Sequence, residues 1–124
     1  MANVLRPRPS NRTSATVSLT TAADGASEQI NLTGLTLAGV LMPASWTDAR
    51  IGLQCSIDGS TFTSVFNTAG DHLTYVTSAN RMMTFDNTDN FAGLQLIKIV
   101  SETSAGVAVA QAAGRTLKLV LSEG

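Results

Sequence analysis

Hydrophobic and polar residues alternate along much of this chain, with the period of two that is typical of β-strands. Near the C-terminus Leu117, Leu119 and Leu121 share one face of such a segment. Between Arg50 and Ile57, a second apolar row consists of Ile51, Leu53, Cys55 and Ile57. A period-two pattern places one row of side chains in a core and the other toward solvent or a partner. We therefore predict that both rows face a core, with Cys55 as a buried, unreactive filler.

The same pattern predicts about nine short strands. They are Ala15–Thr20, Glu28–Leu32, Leu37–Met42, Arg50–Ile57, Thr63–Phe66, Leu73–Val76, Arg81–Phe85, Leu94–Ser101 and Arg115–Ser122. Pro43–Ala49 is predicted to form a loop or a short helical turn, and Ser104–Gly114 a long exposed connection. Residues that favour turns, such as Asp58-Gly59, separate the strands. The fold class is therefore all-β, a single-domain β-sandwich that is jelly-roll-like and has about eight to nine strands.

Length, net charge and cysteine count exclude several classes of protein. With 124 residues the chain has the length of one domain. Its formal net charge of −1 gives no global attraction to nucleic acid or to a membrane, so neither is predicted as a partner. The single cysteine excludes an internal disulfide. The first residues lack the apolar stretch of a secretory signal, so we expect synthesis in the cytoplasm.

The N-terminal segment differs from the rest of the chain. Residues 1–12 contain three arginines and no acidic residue, whereas the remainder has five basic and nine acidic residues. Pro7 and Pro9 favour an extended backbone. We predict an extended basic arm over residues 1–14 and a β-sandwich domain over residues 15–124. The arm is either a frayed tail or a segment that docks on a neighbouring acidic subunit through its arginines, Arg6, Arg8 and Arg12.

Groups that could catalyse a reaction are scarce. His72 is the only histidine and lies in a Gly70-Asp71-His72 turn. A hydrolytic triad requires a nucleophile, a base and an orienting acid, and a zinc site requires several nitrogen or sulfur ligands. No such set is recognisable here. We therefore predict an exposed turn histidine, no catalytic residue, no metal or cofactor site, and no enzymatic activity.

Two further segments each allow two interpretations. The oxygen-rich run Asp86–Asn90 could bind calcium, but it lacks the glycine and the distal glutamate of an EF-hand loop, and turn capping is the simpler interpretation. Trp46 could be a platform on which a sugar stacks, or an anchor that packs a loop on the edge of the sandwich.

Several segments resemble small structural proteins of tailed bacteriophages. A leucine-rich strand ends in Met42–Thr47, and Ile51–Ser56 is followed by the turn Asp58–Phe62. Farther along, Asn90–Gly93 precedes a strand, and Gln111–Leu117 leads into the last one. These motifs are turn and strand signatures, so the resemblance supplies no catalytic residues.

The resemblance implies a virion component similar to the cement or decoration proteins of phage heads. The expected partners are the major capsid protein or other virion proteins, together with further copies of the chain, most often as a trimer. The expected location is the capsid surface. The alternative is a carbohydrate-binding or adaptor module of a phage tail or fibre, in which Trp46 would contact the sugar.

Overall fold

The computed structural model describes residues 12–32, 34–85 and 94–123. These residues form nine β-strands and no helix. The strands are β1 (Arg12–Leu19), β2 (Ile30–Asn31), β3 (Leu35–Leu41), β4 (Arg50–Ser56), β5 (Thr63–Ser64), β6 (Thr74–Tyr75), β7 (Met82–Thr84), β8 (Leu96–Glu102) and β9 (Arg115–Glu123). Each overlaps one predicted strand, which confirms the all-β prediction.

The strands form two antiparallel sheets. Sheet A has the order β1-β9-β3-β7, and sheet B has the order β2-β8-β4-β5, with β6 also paired to β4. The first strand thus lies beside the last, and the chain crosses repeatedly from one sheet to the other. This arrangement is the two-sheet architecture of a jelly roll, in agreement with the predicted fold class.

The core lies between the two sheets and is almost entirely aliphatic. Leu117, Leu119 and Leu121 of β9 all face it, as the alternation predicts. They meet Ile51 and Leu53 of β4 within one cluster. Burial of such side chains contributes about 1.5–3 kcal/mol each, which is the main force that holds the sheets together.

One predicted core residue is wrongly placed by the alternation. Ile51 and Leu53 are buried and Cys55 is partly buried, but Ile57 is 103% exposed. Strand β4 ends at Ser56, and Ile57 belongs to the turn that follows. The strand, and with it the alternation of faces, therefore ends at Ser56, one residue before the predicted end.

The boundary of the N-terminal arm also differs from the prediction. Strand β1 begins at Arg12 rather than Ala15, so residues 12–14, assigned to the arm, belong to the sandwich. The rest of the predicted arm, residues 1–11, lies outside the described residues. The pairing of β1 with β9 runs without interruption from Arg12 opposite Ser122 to Leu19 opposite Arg115.

The two long connections have defined structures. Pro43–Ala49 forms a loop without a helical turn. Residues 104–114 are mostly exposed as predicted, with one exception, because Gln111 is buried. Its side chain accepts a hydrogen bond from the Thr47 N–H at 2.8 Å and donates one to Ser101 Oγ at 2.7 Å. Gln111 thereby ties both connections to the end of the sandwich.

Candidate functional site

The residues predicted to bind partners fall in different parts of the chain. Arg6 and Arg8 lie outside the described residues, as does the possible calcium segment Asp86–Asn90. Arg12 is the first residue of β1, which is an edge strand of sheet A. The basic N-terminal segment therefore precedes a sheet edge directly in sequence.

Trp46 has the contacts expected of a loop anchor. Its indole Nε1–H donates a hydrogen bond to the Ala49 carbonyl at 3.1 Å, and the ring packs against the hydrophobic core. A sugar-stacking tryptophan needs an exposed ring face, and this side chain is partly buried. Glycan binding by Trp46 stays a prediction.

His72 forms a close pair with a carboxylate on the outer face of sheet B. Its Nε2 lies 2.6 Å from Oε2 of Glu102, the last residue of β8. The side chains are 17% and 3% exposed, respectively. The prediction of an exposed turn histidine is therefore wrong. An isolated β-bridge between Phe66 and His72 places the imidazole ring against the sheet. The Phe66 ring packs edge-on against the imidazole, 5.3 Å away.

Two glycines make room for this pair. A Cβ atom at Gly52, in the middle of β4, would collide with the Glu102 carboxylate. Gly106 packs against the imidazole, and a Cβ there would lie 3.3 Å from Nε2. The chain around Gly106 forms a tight turn, in which Thr103 Oγ1 accepts hydrogen bonds from the amides of Ala105 and Val107. The turn therefore lies against the imidazole of the pair.

A groove of about 340 Å³ borders the pair. Its lining includes Asp48, Arg50, Val76, Thr77 and Glu102. The Thr77 hydroxyl is buried and has no hydrogen-bond partner among the described residues. An unpaired buried hydroxyl costs free energy unless a ligand or water satisfies it. The lining of the groove thus combines the acidic residues Asp48 and Glu102 with the basic residue Arg50.

The pair and groove lack the other parts of a recognisable catalytic array. Imidazole and carboxylate together can hold and transfer a proton, but hydrolysis by nucleophilic attack also needs a positioned nucleophile. No hydroxyl or thiol among the described residues forms a hydrogen bond with His72. Within the described residues, no three His, Cys, Asp or Glu side chains lie close enough together to bind a metal ion. The arrangement is chemically an acid–base pair between a partly buried imidazole and a buried carboxyl group.

The outer face of sheet A has a different character. We use this name for the outward side chains of Ser14, Thr16, Ser18, Leu41, Met82, Thr84, Thr116, Lys118 and Val120. Two of them are large, apolar and exposed, with Leu41 at 40% and Met82 at 49%. They neighbour each other through the pairing of Leu41 with Met82, and Leu41 also pairs with Lys118. Lys118 is the one charged residue of this set.

The turn after β4 is ordered by its own hydrogen bonds. The Asp58 carboxylate accepts hydrogen bonds from the amides of Ser60 and Thr61 at 2.8 and 3.0 Å and from the Ser56 hydroxyl. The Thr61 and Ser60 amides, followed by the Ser56 hydroxyl, lower the pKa of Asp58 because they favour its charged form. This turn fixes the backbone that carries the exposed Ile57.

Comparisons with known proteins add no assignment. The chain matches no family model, and no curated protein or solved structure is significantly similar to it. No helix in the described ranges is long and apolar enough to cross a membrane.

The residue that sequence reasoning missed is Glu102. A glycine inside a strand often marks a place where another group approaches closely, so Gly52 carried part of the signal. Naming the approaching group requires the register, which places Glu102 opposite Arg50 and therefore beside Gly52. The alternation alone does not provide that register.

Proposed function

We propose that this chain is a non-enzymatic structural protein of a tailed bacteriophage virion, namely a capsid cement or decoration protein. The outer face of sheet A carries the proposal. It is a broad strand surface with short polar side chains, two exposed apolar residues and a single lysine, so it can pack against a neighbour at low desolvation cost. The resemblance of the sequence to phage virion proteins favours the same role.

The proposed mechanism is reinforcement through many weak contacts. Each copy would bind the shell and its neighbours, and a repeated lattice would multiply the effect of each contact. The major capsid protein or another virion protein is the proposed shell partner, with further copies of this chain beside it. The trimer that the resemblance implies stays a prediction.

The basic segment is proposed to contribute to shell binding. In sequence it precedes β1, an edge strand of sheet A, and it contains Arg6 and Arg8. Deleting residues 1–11 leaves all nine strands in place, whereas a longer deletion would cut into β1. We expect the truncated chain to fold with an unchanged melting temperature and to occupy heads less fully than the full chain. Equal occupancy would contradict a role for the arm.

Copy number tests the proposed location. A cement or decoration protein covers a shell and is expected on the order of hundreds of copies per particle, as multivalent coverage requires. Quantitative mass spectrometry of purified particles, with the major capsid protein as the internal reference, gives this number. A count of about a dozen or fewer would instead place the chain in the tail, where the symmetry of the assembly is low.

A second candidate is a carbohydrate-binding module of a tail or fibre. The observation in its favour is the groove beside Glu102, whose lining includes the charged side chains of Asp48 and Arg50 as partners for sugar hydroxyls. Asp48→Ala removes an exposed carboxylate from the groove, and Trp46→Ala removes the aromatic ring. If the groove binds glycan, Asp48→Ala should lose glycan-array binding and remain folded. If Trp46 only anchors its loop, Trp46→Ala should lower the melting temperature instead.

A further inference from the structure

The free edge of β1 is the least protected strand edge of sheet A. Strand β1 has eight residues, whereas β7, at the opposite edge, has three. Natural proteins protect long edge strands with charged residues, prolines, bulges or a covering segment. Residues 13–19 of β1 contain no proline and no charged residue, and the pairing with β9 contains no bulge.

Among residues 12–32, 34–85 and 94–123, cover is present at one end of this edge only. The Ser18 amide donates a hydrogen bond to Glu28 Oε1 at 3.2 Å, and Leu19 forms an isolated bridge with Ser27. The Ser18 amide therefore points away from β9. Because successive peptide groups of a strand alternate in direction, those of Arg12, Ser14 and Thr16 also point to the free edge. Among the described residues, the peptide groups of Ser14 and Thr16 have no partner there.

We infer that β1 pairs with β1 of a second copy, antiparallel and about a two-fold axis at Ser14. In this register Ser14 lies opposite Ser14 of the second copy, and Arg12 lies opposite Thr16. The outward peptide groups of Arg12, Ser14 and Thr16 on both strands then gain partners. The pairing ends before Ser18, whose amide already donates a hydrogen bond to Glu28. No like charges come opposite each other. The inference does not depend on the proposed function.

The occupant is a second copy because the free segment is self-complementary. Its three outward peptide groups are evenly spaced about Ser14, so one two-fold operation satisfies them all. The pairing uses both free edges and therefore closes at two chains, whereas pairing with a different edge would leave one β1 free for further addition. Sheet A would become an eight-stranded sheet across the dimer. Strand pairing alone buries little area, so the dimer should dissociate on dilution.

Proline substitution tests the pairing. Ser14→Pro removes an outward amide at the axis and leaves the bonds to β9 intact. Thr84→Pro is the matched control, because the Phe85 and Met42 hydrogen bonds show that the Thr84 amide points away from β3 on the opposite edge. In sedimentation across a dilution series, we expect the wild type and Thr84→Pro to reach the mass of two chains. Ser14→Pro should stay at half that mass at every concentration.

A wild-type chain that is monomeric at every concentration or trimeric would overturn the inference, as would a dimeric Ser14→Pro variant. Hydrogen exchange on the wild type provides a measurement that does not depend on the variant folding. The Ser14 and Thr16 amides should exchange more slowly as the concentration rises, while the exposed-edge amide of Thr84 should not change. Exchange at Ser14 that is independent of concentration would also overturn the inference.

Discussion

The outer faces of the two sheets of this jelly roll differ in the contacts that their side chains make within the chain. On sheet B the turn around Gly106 lies on His72, and His72 pairs with the buried Glu102, although the neighbouring Phe66 is exposed. On sheet A no residue of the described part of the chain buries Leu41 and Met82 in this way, and both are exposed. Polar groups on sheet B therefore contribute to folding, whereas the outer face of sheet A is the surface that we propose contacts neighbours.

Because of this difference, we expect substitutions on the two faces to affect different properties, namely folding stability and association. Substitutions on the outer face of sheet B should change the free energy of unfolding, since they disturb buried polar groups. Substitutions on the outer face of sheet A should change that free energy less and mainly alter association with other proteins.

The largest effect is expected from His72→Ala. The substitution leaves the buried Glu102 carboxylate without its partner, which should lower the free energy of unfolding by about 3 kcal/mol. Urea denaturation measures the loss. The double variant His72→Ala/Glu102→Ala should lose less than the sum of the losses for His72→Ala and Glu102→Ala, because it removes both polar groups together. Additive losses would mean that the two side chains do not stabilise each other.

A smaller loss is expected from Gly52→Ala. The new methyl group would occupy the space of the Glu102 carboxylate and force it off its position, at a cost of about 2 kcal/mol. Gly114→Ala is the matched control, since a Cβ there would meet only the Leu19 carbonyl oxygen at 3.8 Å. Equal melting temperatures for the two variants would show that Glu102 can move without cost.

Acid should weaken the turn at Asp58 by a modest amount. Folding lowers the pKa of Asp58, so its charged form stabilises the fold above the ordinary carboxyl pKa of about 3.9. That contribution is lost as the pH falls through this value and then through the lower pKa of the folded state. We expect the wild type to be more stable than Asp58→Asn at neutral pH, with the difference shrinking below about pH 4. A difference that is constant with pH would contradict the assigned hydrogen bonds.

The smallest effect on stability is expected on the outer face of sheet A. Leu41→Ser and Met82→Ser replace side chains that are about half exposed and should lower the free energy of unfolding by no more than about 1 kcal/mol each. Leu119→Ala, in β9 of the same sheet but facing the core, should cost about 3 kcal/mol. Thermal and urea unfolding compare the three. A large loss for Met82→Ser would show that this face is packed within the chain.

Much of the fold was predictable because it depends on local pattern. Alternation in β9 and turn residues such as Asp58-Gly59 locate strands and their connections without knowledge of their partners. Ile57 shows the limit, since the apolar row continues in sequence after the strand has ended.

The polar contacts were not predictable, because they join residues that are distant in sequence. His72 and Glu102 are thirty residues apart, and Gln111 and Thr47 are sixty-four apart. Only the pairing of β4 with β8 and the path of the turns bring such groups together. Sequence alternation predicts which face a residue occupies but not which group lies above it.

The most direct test of the central claim is hydroxyl-radical labelling of the chain, free and bound to heads. Met82 on sheet A and Phe66 on sheet B are both exposed in the free chain, at 49% and 57%. If the outer face of sheet A contacts the neighbours, Met82 should lose reactivity on the particle while Phe66 keeps it. Protection of Phe66 with unchanged labelling of Met82 would contradict the account.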